Sequence, residues 1–476
     1  MTITSALQSQ LDQRPPKPYR GILVRLIAGL LNRPRLLRPL FNYVVPVIQP
    51  LFSRKYFFVS RHRDAREILE RDDDFPVGPQ YGPAMVCGSF VLGTDRGPLF
   101  REDLAVLWET FYEFSPKDPL PPAGPVDASI HASTMVKLPL IGDHLIKRIT
   151  ARVNRAIEAA ERKDGWLDLV QDVLRPECSW IVQAYLGVGP ADDRWIKVLW
   201  EVLESLALPI ILPGSDNMDN IKDPVVAEVR WARTTLRRAI EEGIDAAIAS
   251  RAAGQHDPPN IIANMYSVLA TGSSSPDPEI IRETIIRNIS GLAITACHPI
   301  AKAAAHAVHV LLTNPLAFRG ATAAAVTGNK HLFWDFIEEA LRFFPAFPIV
   351  IRACPRGTTI GVDDDPRMVR PGQTVTIGLL AAMFDSAAVP FPYQYRTDRG
   401  ANDFLVFGYG MHACFGYQFA RAMLVALLMP LFVCGFARVP WPKGKLKFDL
   451  VVPRSFQLRM SPPGDRISQM LTCHAP

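Results

Sequence analysis

The stretch "IIRETIIRNISGLAITACHPIAKAAAHAVHVLL", Ile280 to Leu312, constrains this chain most. Apolar residues recur at helical spacing on both sides of its centre: Ile285, Ile289, Leu292 and Ala296, then Ile300, Ala304, Ala307 and Leu311. That pattern predicts a long core helix. Pro299 stands in its middle. An interior proline has no N–H and clashes with the carbonyl four residues back, here Thr295, at a cost of about 3 kcal/mol. The bland reading is a tolerated kink, but a proline at a helix centre needs a physical reason.

Around this helix the sequence reads as helices with a small, late set of strands. "KYFFVS" reads as a strand and "RDAREILER" as a helix. Further helices follow in "LFREDLAVLWETFYEF", "HLIKRITARVNRAIEAAERK", "WLDLVQDVLRPECSWIVQAYLG", "DRWIKVLWEVLESLA" and "AEVRWARTTLRRAIEEGIDAAIASRAA". "PKDPLPPAGP", with its five prolines, is a loop. After the long helix come "HLFWDFIEEALRFFP", short strands in "PIVIRA", "TTIGV" and "RPGQTVTIG", and a last helix, "YQFARAMLVALLMPLFVCGF". The fold class is mainly α with small β-sheets. Without βαβ alternation, a doubly wound sheet is excluded.

Charge is uneven along the chain. The formal total is +5, yet residues 1–55 hold nine Lys/Arg against the single acid Asp12. This basic, apolar N-terminal arm is broken by arginines and prolines, so it makes no spanning helix. It either packs on the body of the protein or touches a membrane surface peripherally. Residues 56–476 then form a single domain. The body is slightly acidic, which argues against nucleic acid as partner. Seven cysteines, an odd number with no Cys-x-x-Cys pair, argue against a disulfide framework and fit a reducing, cytoplasmic compartment.

The chemistry concentrates in "FGYGMHACFG", Phe407 to Gly416. A lone Cys414 sits in a glycine-punctuated loop just before a helix. Gly408 and Gly410 let the backbone fold tightly and approach a flat ligand. A helix start offers N–H groups to a thiolate and lowers its pKa. Hydrogen bonds to sulfur also tune a thiolate-bound iron. A second feature is Glu339–Ala340–Leu341–Arg342, an i,i+3 ion pair with apolar flanks, 75 positions before Cys414.

Together these resemble the cytochrome P450 family. Phe407, Gly410, His412, Cys414 and Gly416 each fall on its cysteine-loop pattern, Phe-x-x-Gly-x-[Arg/His]-x-Cys-x-Gly, and Glu339 and Arg342 on its Glu-x-x-Arg pair. The resemblance runs from about Tyr56 to Pro462. It implies one cytochrome P450 fold, haem b (iron protoporphyrin IX) as cofactor, Cys414 as its metal ligand, and Glu339–Arg342 as a structural lock. It also implies that Arg352 and His412 meet haem propionates, an arginine fork suiting a carboxylate. Arg101 is the early helix's candidate for the same role, out of register. Arg396 or Arg399 completes the Glu-x-x-Arg lock. By the same resemblance the protein is a monomer that oxygenates a lipophilic small molecule, with Phe75–Pro98 and the region near Ala207–Ile221 lining the pocket. No flavin, ferredoxin or nicotinamide domain is fused, so electrons come from a separate ferredoxin and reductase, or peroxide replaces them.

The long helix departs from the family. Most relatives carry there an acid followed by threonine, which deliver protons to bound oxygen. Aligning on Asn314–Pro315 puts His298 at the acid and Pro299 at the alcohol. Proline has no proton to give, histidine can give one near neutral pH, and the freed carbonyl of Thr295 can hold water or substrate. Three mechanisms stay open: direct use of peroxide, as in a subgroup where a basic residue and proline replace the pair; ordinary O2-dependent oxygenation with another relay; or rearrangement of a substrate hydroperoxide. A haem-thiolate sensor without turnover is the non-enzymatic alternative. His306 and His309 mimic a metal pair but lack a carboxylate beside them, and read as core or surface histidines.

Overall fold

The computed structural model describes residues 3–17, 22–45, 47, 54–77, 87–88, 90, 93–111, 143–211, 224–254, 260–271, 277–361, 365–440 and 442–461. The proline-rich loop, most of the Ala207–Ile221 region and much of Phe75–Pro98 lie outside these residues.

The long helix forms over Pro278–Leu312 and runs unbroken through Pro299. Asp277 caps it by accepting from the Glu279 N–H at 2.9 Å, and Pro278 occupies the first turn, where its missing donor costs nothing. Most of its residues are buried. It is the axis of the molecule, packed against helices Asp193–Ile211, Pro224–Ala252, Lys330–Phe343 and Tyr417–Cys434. The buried Asp103 pairs with Arg287 and so ties helix Pro98–Phe111 to this axis. Each large apolar side chain buried here, such as Trp334 or Phe432, contributes about 1.5–3 kcal/mol.

A second core gathers around a three-stranded sheet. In it Tyr56–Val59 runs parallel to Gln373–Ile377, which pairs antiparallel with Val350–Cys354. Thr358–Ile360 and Arg367–Val369 form a hairpin, as do Lys447–Asp449 and Val452–Ser455. Val350–Cys354, Thr358–Ile360 and Gln373–Ile377 overlap the segments read as strands from the sequence, whereas Lys447–Asp449 and Val452–Ser455 lie beyond any strand that reading named. Trp166–Asp168, read as helix, is instead a strand against Gln457–Arg459. Gly165, at φ +79°, ends the preceding helix, and Asp168 turns the chain by accepting from the Val170 and Gln171 N–H groups.

The N-terminal arm is in part packed down. Leu7, Ala28, Leu37 and Phe41 are buried, and Trp231 donates to the Gln10 carbonyl at 2.8 Å. Ile22, Leu23 and Leu26 stay exposed. Among the described residues the one helix long and apolar enough to cross a membrane is Tyr417–Cys434, more than half of which is buried in the core.

Glu339 and Arg342 on helix Lys330–Phe343 are fully buried and joined by two bonds of 2.8 Å. Arg342 also donates to the carbonyls of Met383 and Pro392, at 3.0 and 2.7 Å. Of the two candidate partners, Arg399 supplies the side chain, 3.0 and 3.1 Å from the Glu339 carboxylate. Arg396 gives only its backbone N–H at 3.1 Å and turns its guanidinium outward to Asp398. Removing one member of such a cluster leaves a buried charge unmatched, at about 3–5 kcal/mol. Glu339→Gln, which strands two guanidinium groups, is therefore expected to lower the unfolding free energy measured in urea by that amount or prevent folding. Arg396→Ala should leave that free energy unchanged.

Candidate active site

The loop from Phe407 to Gly416 is built by its own backbone. The Cys414 N–H donates to the Phe407 carbonyl at 2.7 Å, and Ala413 to Gly410 at 3.0 Å. Gly410, at φ +70°, approaches the Leu69 carbonyl so closely that a Cβ would lie 2.2 Å from that oxygen. The end of the neighbouring helix thus by itself demands a glycine at this position. Aromatic rings clamp the loop. Trp108 and Phe111 each meet Phe415 edge-on at 5.4 Å, Phe100 meets His412 at 6.0 Å, and Phe407 meets Tyr417 at 4.9 Å.

Cys414 is half-accessible, yet protein surrounds it on all sides. Burial pushes its thiol up to about 11, outweighing the Gly416 N–H that favours the thiolate. The helix start does not lower this pKa as the sequence suggested. A thiolate here needs a cation at the sulfur, which is what a bound iron supplies.

Cations collect beside the loop. His412 is pushed down to about 4, first by burial and then by Arg352, with Arg96 adding to the effect and Asp72 opposing it. Neither ring nitrogen of His412 has a hydrogen-bond partner. Arg352, on strand Val350–Cys354, is buried and donates to the Ile351 carbonyl at 2.9 Å. Arg96 grips Asp72 with bonds of 2.8 and 2.9 Å. Arg101 is exposed and does not join this group. The register of "DRGPLFRED" puts Arg96 five residues earlier at the loop, which the sequence reading missed. Two orphaned imidazole nitrogens beside two guanidinium groups suit a ligand with carboxylates, and a surrounded thiol suits a soft metal. The residues fit a haem.

On the long helix Leu292, Ala296 and Pro299 are half-buried and Thr295 is exposed, while Ala293, Ile294, Cys297, His298, Ile300 and Ala301 are buried. The first four recur at i, i+3, i+4 and i+7, one accessible stripe on a core helix. The Thr295 hydroxyl donates back to the Gly291 and Leu292 carbonyls at 2.9 and 3.2 Å. His298 lies off this stripe. Its ring packs 4.2 Å from that of Trp200, and burial, helped by Arg454 and Arg175, pushes it down to about 3. Burial thus favours the neutral imidazole over the charged one. His306 donates its Nδ1–H to the Phe344 carbonyl at 3.0 Å and stacks on the Phe344 ring, a core histidine as read. Lys302, one turn beyond His298, is buried with its amine pushed down to about 7 by burial alone. A lone lysine in an alanine-rich core helix was the sequence signal for it.

The chain is a helical body around one long axis, with small sheets and a cysteine loop beside a cationic cluster. Residues 331–434 match the family described as Cytochrome P450, whose cofactor is haem. It is 26% identical over 328 residues to cytochrome P450-SOY of Streptomyces griseus, covering 68% of this chain and 67% of that one. It is 25% identical to cytochrome P450 105A3 of Streptomyces carbophilus over 54% of this chain and 62% of that one, so the matched stretch spans about two thirds of these relatives. The fold is that of the crystal structure of CYP109E1 from Bacillus megaterium in complex with testosterone. That likeness has a TM-score of 0.62 at 16% identity and covers 88% of this chain and 99% of that one.

If Arg352 holds a haem carboxylate, Arg352→Ala should speed haem loss to apomyoglobin by about tenfold or more, the worth of one charge-assisted bond. Arg101→Ala should lose haem at the wild-type rate. Equal rates in Arg352→Ala and wild type would contradict the assignment.

Proposed function

We propose that this protein is a haem-thiolate monooxygenase that inserts oxygen into a lipophilic small molecule, with electrons delivered by separate redox proteins. The observation that carries this reading is Cys414, partly accessible in a tight glycine loop directly before a helix, with Arg352, Arg96 and His412 beside that loop. In the proposal Cys414 ligates the haem iron, and Arg352, His412 and Arg96 face its propionates. When bound, the haem supplies the oxygen-activating chemistry. The chain's part is to exclude bulk water from the sulfur, hold the carboxylates, and present the stripe Leu292, Thr295, Ala296 and Pro299 to the substrate. That stripe is apolar apart from the Thr295 hydroxyl, which supports a lipophilic substrate.

Pro299 keeps a second reading in view, direct use of peroxide, because it has no proton to give. The neutral, turned-away His298 weakens that reading. It cannot act as a cationic anchor for a substrate carboxylate, so peroxide use rests on the proline alone. Exposed Ile22, Leu23 and Leu26 beside the arm's arginines support a peripheral membrane contact.

The test compares purified holoprotein given a ferredoxin and reductase under oxygen with the same protein given hydrogen peroxide, across a panel of lipophilic compounds. Oxygenated product in the first arm, with substrate-induced low-to-high-spin shifts, is expected. Product with peroxide alone would overturn the redox-partner reading, and no shift with any compound would favour a sensor.

A further inference from the structure

Glu338 stands next to the buried Glu339 on helix Lys330–Phe343 but serves a different neighbour. Its carboxylate accepts from the Tyr417 hydroxyl at 3.1 Å. Tyr417 opens helix Tyr417–Cys434, directly after the cysteine loop, and its N–H donates to the Cys414 carbonyl at 3.2 Å. Its ring meets that of Phe407 edge-on at 4.9 Å and that of Trp334 edge-on at 6.0 Å. The Phe407 carbonyl in turn accepts from the Cys414 N–H at 2.7 Å. One tyrosine thus touches the loop at Phe407 and at Cys414, while its hydroxyl is held by a carboxylate of another helix.

That carboxylate has no ion-pair partner among the described residues. Burial pushes Glu338 up to about 7, with Asp335 adding to the rise and the Tyr417 hydroxyl and Arg421 opposing it. The titratable groups that act most strongly on it are therefore Asp335 of its own helix and Tyr417 and Arg421 of the other. Arg421 is drawn elsewhere: its guanidinium lies 2.8 Å from His331 Nδ1 and 5.8 Å over the Trp334 ring. Asp335 is itself raised, by burial against the pull of Arg421 and His331.

We propose, on the reading of Cys414 as a haem ligand, that Glu338 and Tyr417 are positioning residues for the cysteine loop and that the ionisation of Glu338 sets the charge beside that loop. When ionised, the carboxylate takes a stronger bond from the Tyr417 hydroxyl and adds one negative charge. A negative charge near a bound iron favours its oxidised state and lowers its potential. When protonated, Glu338 loses both effects. The proton exchanges with solvent, which reaches this partly buried side chain. Stability carries the same sign. An unfolded glutamate titrates near 4.5 and the folded Glu338 near 7, so between these the folded state holds more protons and loses stability as the pH rises.

The experiment follows the haem midpoint potential of the holoprotein from about pH 5.5 to about 8.5 in wild type, Glu338→Gln and Tyr417→Phe. Wild type should show a fall in potential centred near pH 7 that Glu338→Gln lacks. Tyr417→Phe keeps the ring and the charge but not the hydroxyl. Its step should persist and move to higher pH, because the bond that favours the carboxylate is gone. It should also lose the thiolate band of the carbon monoxide complex about tenfold faster than wild type, the worth of one bond to a carboxylate. The same step in Glu338→Gln as in wild type would overturn the charge assignment, and an unchanged rate of band loss in Tyr417→Phe would overturn the positioning one. If wild type shows no thiolate band, the ligand reading fails separately. Urea unfolding then decides Glu338: relative to Glu338→Gln, wild type should lose stability between about pH 4.5 and 7, and a constant difference overturns the assignment.

Discussion

The buried cluster of Glu339, Arg342 and Arg399 holds the rest of the structure in place. One carboxylate pairs with two guanidinium groups, Asp403 lies 4.0 Å from Arg399, and the guanidinium groups spend their remaining donors on five carbonyls, of Met383, Pro392, Pro390, Phe391 and Gln394. All five lie between the small sheet and the cysteine loop. The charge pairs do not add much net stability, because desolvating them costs nearly what they return. Their effect is on register: the chain from Met383 to Arg399 has one arrangement that satisfies every donor. Helix Lys330–Phe343 is thereby bound to the segment that leads into Phe407–Gly416.

From that anchor the cysteine loop inherits its position. Aromatic contacts from helix Pro98–Phe111 press it from one side, and Gly410 lets it close against Leu69 on another. The result is a partly accessible sulfur in a tight loop, with Arg352, Arg96 and His412 beside it.

Much of this was legible in the sequence, for identifiable reasons. Cys414 and the Glu339–Arg342 pair sit in short motifs whose geometry is local, so spacing alone locates them. The late strands show alternation, and the structure keeps them. What failed depended on which face a residue turns to a distant neighbour. His298 fell at the right place along the helix, but only the packing of Trp200 shows that it leaves the accessible stripe. Arg399 and Arg396 are indistinguishable by type and spacing; the difference is that Arg396 finds Asp398 at the surface. Arg96 replaced Arg101 because the helix begins only at Pro98, leaving Arg96 in the turn beside Asp72.

The central claim is that Cys414 is the thiolate ligand of a haem. Its most direct test is the optical spectrum of the reduced, carbon monoxide-bound holoprotein, recorded for wild type and for Cys414→Ser. The account predicts the strongly red-shifted Soret band of a thiolate-ligated haem in wild type and its loss in Cys414→Ser. A wild-type band typical of histidine ligation, or a thiolate band that survives in Cys414→Ser, would contradict it.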